Sequence, residues 1–377
     1  MKKLLSFLLV AIMVLSVVAC SESKSTDEKE EDSAVAEDSQ ELDDESGDTK
    51  VEVKKVGVAM PTKDLQRWNQ DGENLKKELE AKGFEVDLQF ANNDIGTQVS
   101  QIENMIANNC NVLVIAAIDG SALTTALEQA KTNNIPVISY DRLIMNSDAI
   151  SYYATFDNTR VGEIQGQYIV DALDLENTDE TFNIEVFTGP TDDNNVNFFY
   201  GGAMKVLEPY IDKGTLNVVS GKYSLAEAAT KEWSTEESQK RMENLISAYY
   251  SDGTQLDAVL SSNDSVANGV TNALVNSYSG DYPVLTGQDC EITSMKNLVK
   301  DLQTMSVFKD TRQLAAKVVE MVVAISEGAE VPINDTETYD NGTGIVPSFL
   351  LDPIAVDKDN YKEVLIDSGY YSEDDLK

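Results

Sequence analysis

The feature that most limits what this chain can fold into is a regular alternation, begun near residue 51 and then repeated. Short apolar runs at 56–60, 86–90, 112–117 and 135–140 have the length of strands. Amphipathic stretches at 64–82, 98–108 and 121–132 lie between them, and Val99, Ile102, Met105 and Ile106 recur at helical spacing in the second. Ser121 reads as an N-cap of the third stretch and Gly83 as a C-cap of the first. Strand–helix–strand alternation requires crossover connections, and therefore a parallel sheet covered on both faces. After 152–156 the pattern restarts, with strands at 183–187, 216–220, 258–261 and 284–287 and helices at 195–210, 235–250, 265–276 and 292–300. The 377 residues thus hold two βα sets, each large enough for one doubly wound α/β lobe.

The first fifty residues do not share this pattern. Lys2 and Lys3 precede an apolar run at 4–18 that is short for a membrane span and has the form of a secretion signal. It ends Val17-Val18-Ala19-Cys20, which resembles the bacterial lipobox. That resemblance implies cleavage after residue 19, acylation of Cys20 and a stable membrane anchor, since several acyl chains hold where one binds marginally. Residues 21–50 contain 13 acidic residues and 3 lysines, with Val35 and Leu42 as the clearest apolar side chains. Such a stretch cannot form a core and is expected to be a disordered, self-repelling tether.

Charge excludes several functions. With 66 acidic and 29 basic residues the net charge is −37, which opposes binding to a nucleic-acid backbone. The chain has no histidine, so a Ser-His-Asp triad, a histidine metal site and an imidazole base are all ruled out. No glycine-rich dinucleotide fingerprint and no P-loop follows the first strand, which runs into Met60-Pro61-Thr62-Lys63. No cofactor and no metal is expected. Beyond Cys20 the cysteines are Cys110 and Cys290, each beside a strand-like apolar run, and they are expected as buried free thiols.

In open α/β sheets, ligands bind outside the carboxyl ends of the strands. The residues there are Lys63, Asp119, Asp141-Arg142, Asp157-Asn158, Asp192-Asp193-Asn194-Asn195, Asn263-Asp264 and Asp289. Asp and Asn are common helix caps and loop residues, but their recurrence with Arg at the strand ends of both halves points to a polar ligand. Planar Asp, Asn and Arg groups can engage neighbouring hydroxyls in pairs, which suits a neutral polyol. Trp68 and Trp233 offer apolar faces for the C–H surface of a sugar.

At these positions the chain resembles the periplasmic sugar-binding proteins of the D-xylose-binding and multiple-sugar-binding type. The segments that carry the resemblance are Arg67-Trp68, Ser100-Gln101-Ile102-Glu103-Asn104-Met105, Tyr140-Asp141-Arg142, Thr155-Phe156-Asp157-Asn158, Asp193-Asn194-Asn195, Ser262-Asn263-Asp264, Gly287-Gln288-Asp289 and Phe308-Lys309. The resemblance runs from about Val53 to the C-terminus and is closer to the multiple-sugar type at 151–158 and around Asn244-Leu245 and Tyr249-Tyr250.

The resemblance implies two Rossmann-like lobes joined by a three-crossing hinge, the periplasmic binding protein-like I fold. The N-terminal lobe would comprise 51–157 and 309–346, and the C-terminal lobe 158–308 and 347–377. It also implies a set of ligand contacts. Lys63, Arg67, Trp68, Asp141 and Arg142 would come from the first lobe. Asp193, Asn195, Asn263 and Asp289 would come from the second, and Lys309 from the hinge. Three cations, Lys63, Arg67 and Arg142, would balance Asp141, Asp193 and Asp289 in a dry cleft, with Lys309 adding one more. The 221–233 segment departs from the xylose-binding pattern, and Tyr223 and Trp233 both stay candidates for the stacking aromatic.

The implied function is capture of a neutral monosaccharide of the xylose, glucose, galactose or arabinose class by a monomeric lipoprotein that delivers it to an ABC permease. The alternatives are a nucleoside or signalling furanose as ligand, and a sensor that presents the loaded form to a membrane receptor. A glycosidase would need a paired acid and base, and the spacing of Asp141, Asp193 and Asp289 marks none.

Overall fold

The computed structural model describes residues 53–377. The signal segment, Cys20 and the acidic tether lie outside the described residues.

Six parallel strands form the first sheet, in the order β11-β5-β4-β3-β1-β2. They are β1 (Lys55–Met60), β2 (Glu85–Phe90), β3 (Val112–Ile115), β4 (Val137–Tyr140), β5 (Ile150–Phe156) and β11 (Ser348–Leu351). The central strands are almost wholly buried because helices cover both faces. Helices α1 (Gln66–Ala81) and α10 (Thr311–Glu327) close one face over Val56, Val58, Leu75 and Val318, while α2 (Ile95–Ala107) and α3 (Thr124–Thr132) close the other over Ile102, Leu113 and Leu127.

The second sheet has the order β7-β6-β8-β9, again all parallel. Its strands are β6 (Phe182–Phe187), β7 (Leu216–Val218), β8 (Ala258–Ser261) and β9 (Val284–Leu285). An antiparallel pair, β10 (Met305–Phe308) and β12 (Ile354–Asp357), continues it through a parallel bridge between Gln288 and Val307. The helices are α4 (Asn158–Ala172), α5 (Asn195–Lys213), the short α6 (Leu225–Ala228), α7 (Thr235–Leu245), α8 (Asp264–Ser277) and α9 (Ile292–Val299). Two buried clusters, one around Val259, Val266 and Met242 and one around Ile184, Leu207 and Ala203, lie on its two faces.

The chain crosses between the sheets three times: after β5, after β10 and after β11. The third crossing corrects the expected boundary. Ser348–Leu351 pairs with Tyr153–Phe156 in the first sheet, so residues 347–351 do not belong to the second lobe. The short apolar run Phe349-Leu350-Leu351 supplies an edge strand for β5 before the chain leaves at Asp352-Pro353.

Most elements form where the periodicity places them. Helix α4 and strands β10, β11 and β12 were not foreseen. Helix α4 runs unbroken, but Gly162 and Gly166 interrupt its apolar stripe; both face α5, where a Cβ on Gly162 would meet the Phe199 carbonyl oxygen at 2.0 Å. Gly83, with φ 91°, ends α1 as expected. Ser121 is not the cap of α3: the N-cap position is Leu123, with no side-chain bond, and Ser121 N instead donates to Asp119 Oδ1 at 2.8 Å. Cys110 and Cys290 are free and buried, as expected.

Candidate ligand-binding site

The carboxyl ends of strands from both sheets converge on one narrow cavity. The loop after β1 turns into α1 and brings Leu65, Arg67 and Trp68 to its wall, and the end of β4 brings Asp141 and Arg142. From the second sheet come Asp193 and Asn195 after β6, Asn263 after β8, and Gln288, Asp289 and Glu291 after β9. Lys309, at the second crossing, completes the polar lining, and Phe199 and Trp233 add two aromatic faces.

Local backbone sets several of these side chains. Asp141 (φ 57°), Trp233 (φ 57°) and Asp289 (φ 93°) are in the left-handed region, which non-glycine residues rarely adopt and which concentrates at ligand sites. Gly189 is required beside Trp233, because a Cβ there would lie 2.1 Å from the indole ring. Asn263 is both cap and lining: its Oδ1 accepts from Val266 N at 2.9 Å at the start of α8, which leaves the Nδ2 for the cavity.

Ion pairs tie the walls together. Arg67 reaches Asp141 at 2.6 Å through Nη2, Asp289 at 3.4 Å through Nη1 and Asp71 at 2.9 Å through Nε. Lys309 Nζ lies 3.3 Å from Asp289 and 3.7 Å from Asp141. Arg142 pairs with Asp193 at 2.9 Å, and its Nη1 donates to the Ala117 carbonyl oxygen at 3.0 Å. Asp193 also accepts from Trp233 Nε1 at 3.1 Å, which holds the indole in place. Two guanidinium groups lie over the Trp68 ring, Arg67 at 5.0 Å and Arg142 at 5.1 Å from its centroid.

Several pairs join the two sheets. Besides Arg67–Asp289 and Arg142–Asp193, Asn195 Nδ2 donates to the Asp141 carbonyl oxygen at 2.7 Å, and Tyr153 Oη lies 3.2 Å from Asn195 Oδ1. Outside the cavity, Gln66 receives a bond from Ile292 N at 3.1 Å and donates to Tyr371 Oη at 2.6 Å.

The electrostatics follow from this geometry. Burial raises the Asp141 carboxyl, but Arg67, then Lys309 and Arg142, outweigh it and hold the group below its ordinary range. Burial opposes charge on Arg67, yet Asp141, Asp71 and Asp289 hold the guanidinium charged. Glu291 has no such cation, and burial pushes it up to about 7; Ser265 Oγ donates to it at 2.8 Å. Within the lining, three cations therefore face Asp141, Asp193, Asp289 and a partly protonated Glu291, a set close to neutral, with Asp71 adding a carboxylate behind Arg67. Among the described residues no group of three or more His, Cys, Asp or Glu could hold a metal ion.

Nine of the ten residues singled out in the sequence line this cavity. The exception is Lys63, which is exposed, with its Nζ 4.9 Å over the Phe90 ring, and does not line the cavity. Lys309, expected as a fourth cation, is the third in the lining, where Lys63 had been expected. Of the two aromatic candidates, Trp233 lines the cavity, whereas Tyr223 packs against the cluster of Ile184 and Leu207 and accepts from Tyr200 Oη through its carbonyl. Leu65, Phe199, Gln288 and Glu291 were not anticipated. Phe199 carried a signal, standing one helical turn after Asn195 on the same face of α5.

Two doubly wound α/β lobes with three crossings and a polar cavity at the facing strand ends define a two-lobed ligand-binding protein. The chain belongs to the periplasmic binding protein family, whose domain profile matches residues 56–330. It is 51% identical over 326 residues to the multiple sugar-binding periplasmic protein SbpA of Azospirillum brasilense, covering 85% of this chain and 91% of the relative. It is 37% identical over 322 residues to the D-xylose-binding periplasmic protein of Escherichia coli, covering 85% and 92%. An ABC transporter solute-binding protein from Clostridium phytofermentans, solved with β-D-glucose, superposes with a TM-score of 0.85 at 62% identity, covering 86% of this chain and all of the other. The chain is thus a periplasmic-type sugar-binding protein, as the resemblance implied.

Proposed function

We propose that this protein captures neutral monosaccharides outside the cytoplasm and hands them to an ABC permease, held to the membrane by acylated Cys20. One observation carries the reading: the polar lining comes from both lobes and is nearly charge-balanced. A balanced set of paired charges and planar amides suits an uncharged polyol better than a phosphate or a free cation. The named relatives bind several sugars or D-xylose, and similar solved structures hold glucose, which favours aldopyranoses.

In this mechanism Arg67, Asp141, Arg142 and Lys309 meet the sugar together with Asp193, Asn195, Asn263 and Asp289, while Trp68, Trp233 and Phe199 cover its C–H faces. Contacts split between two bodies are all made only when the lobes close. The ligand therefore stabilises the closed form and shifts the equilibrium towards it. Closure excludes water and strengthens each polar contact. Binding without turnover is the whole task.

Calorimetry with D-glucose, D-xylose, D-galactose, L-arabinose and adenosine tests the reading. Saturable binding of at least one aldose is expected; binding of adenosine alone would overturn it. Mass spectrometry of the natively expressed protein tests the anchor, where an unacylated Cys20 would refute it.

A further inference from the structure

Asp71 is fully buried and does not line the cavity, yet it is tied to residues that do. It stands one helical turn after Arg67 on α1 and accepts from Arg67 Nε at 2.9 Å through Oδ2. Its other oxygen, Oδ1, accepts from Tyr140 Oη at 2.5 Å. Tyr140 is the last residue of β4 and directly precedes Asp141, whose backbone is left-handed. Asp71 therefore joins the start of α1 to the end of β4 behind the cavity wall. Both of its oxygens are committed to groups that carry or adjoin cavity residues.

We propose that Asp71 is a positioning residue for sugar binding, fixing the Arg67 guanidinium so that its two terminal nitrogens face Asp141 of one lobe and Asp289 of the other. This rests on the sugar-binding reading above.

The geometry explains why such a residue is needed. A guanidinium has one Nε–H and two NH₂ groups in a rigid fork. With Nε held by Asp71, the plane of the fork is set and Nη1 and Nη2 are directed at Asp289 and Asp141. Without that hold, the long side chain regains rotamer freedom that closure must remove again, a cost in affinity with no lost ligand contact. The groups that act on Asp71 are Arg67 from its own helix, Tyr140 at the end of β4, Asp141 just after it, and Tyr370 from the C-terminal tail. Burial pushes Asp71 up to about 6 against the pull of Arg67 and the Tyr140 hydroxyl. The carboxylate is thus retained at an energetic cost at neutral pH, which a group serving only to fill the core would not need.

The test is calorimetric titration of the full chain with D-glucose and with D-xylose, alongside thermal unfolding. Asp71→Asn should weaken binding of the better sugar roughly tenfold, or ~1.4 kcal/mol, while the melting temperature changes little. Tyr140→Phe, which keeps the ring and frees one Asp71 oxygen, should weaken it by a smaller factor and serves if Asp71→Asn does not fold. In an Arg67→Lys background, which lacks the fork, Asp71→Asn should change affinity less than about twofold, because coupled residues are not additive. Equal affinity of wild type and Asp71→Asn, or the same tenfold loss in the Arg67→Lys background, overturns the proposal and leaves the sugar reading standing. Binding of neither sugar by the unaltered protein overturns that reading and this proposal together.

Discussion

Arg142 Nε and Asp193 Oδ2 are 2.9 Å apart, with the guanidinium contributed by the first lobe and the carboxylate by the second. Both side chains are buried, so the pair exists in this form only while the lobes are together. Removing one partner of a buried pair costs about 3–5 kcal/mol because the other charge is left uncompensated. When the partners lie on different lobes, that cost falls on closure rather than on folding. Arg142→Ala should therefore fold normally and bind its sugar roughly two to three orders of magnitude more weakly. Calorimetry reads this directly, and near-normal affinity would remove the pair from the mechanism.

The Gly189–Trp233 contact predicts an effect from a single methyl group. A Cβ on Gly189 would stand 2.1 Å from Cζ2 of the indole, and Trp233 is fixed at its other end by Asp193. Overpacking of this kind costs about 1–3 kcal/mol. Gly189→Ala should displace the ring and weaken sugar binding about tenfold or more, visible as an altered tryptophan fluorescence response to the ligand. An unchanged response would place the stacking face elsewhere.

Gln66 joins α1 to the second lobe outside the cavity, through Ile292 N and Tyr371 Oη. A net hydrogen bond contributes about 1 kcal/mol, so Gln66→Ala should disfavour the closed form and lower affinity roughly fivefold to tenfold. Because no contact with the sugar changes, D-glucose and D-xylose should be affected by the same factor. A shifted ratio between them would show that Gln66 reaches the ligand site.

Glu291 gives a pH dependence. Burial pushes its carboxyl up to about 7 in the folded protein, above the ordinary glutamate value of 4.5, so the folded state holds more protons than the unfolded state between these values. Raising the pH through that window therefore lowers stability. Asp71, at about 6, and Asp264, raised well above its ordinary value by burial and then by Glu291, act in the same direction. The melting temperature should fall between pH 5 and pH 7.5, and by less in Glu291→Gln. Equal falls in both proteins would mean that Glu291 titrates as an ordinary carboxylate.

Much of the architecture was legible because parallel sheets write themselves as apolar runs: β8 begins and ends where its run does. Helix α4 escaped because its packing face is made of Gly162 and Gly166, which present backbone rather than an apolar stripe to α5. Strand β11 escaped because its partner β5 lies almost two hundred positions earlier, and no local period reports such a pairing. Within the site, the rule that ligands sit beyond strand ends located Asp141, Arg142, Asp193 and Asp289, whose positions are fixed by the strands themselves. It failed for Lys63, because the β1–α1 loop turns that side chain onto Phe90 while the next helical turn delivers Arg67. Glu291 and Asp71 were hidden for a different reason: each is defined by burial and by partners distant in sequence.

The pairing of Ser348–Leu351 with Tyr153–Phe156 also sets the order in which the molecule can be completed. A chain emerging from its N-terminus makes β5 early, and the strand that covers it arrives only after the entire second sheet has been spelled out. Until then β5 is an open edge, its N–H and C=O groups free to recruit any extended segment, including the same strand of another copy. A chain interrupted anywhere before Ser348 keeps that edge permanently, even with all the cavity residues already made. Premature termination close to the end of the gene should therefore yield insoluble material, not a weakened binder.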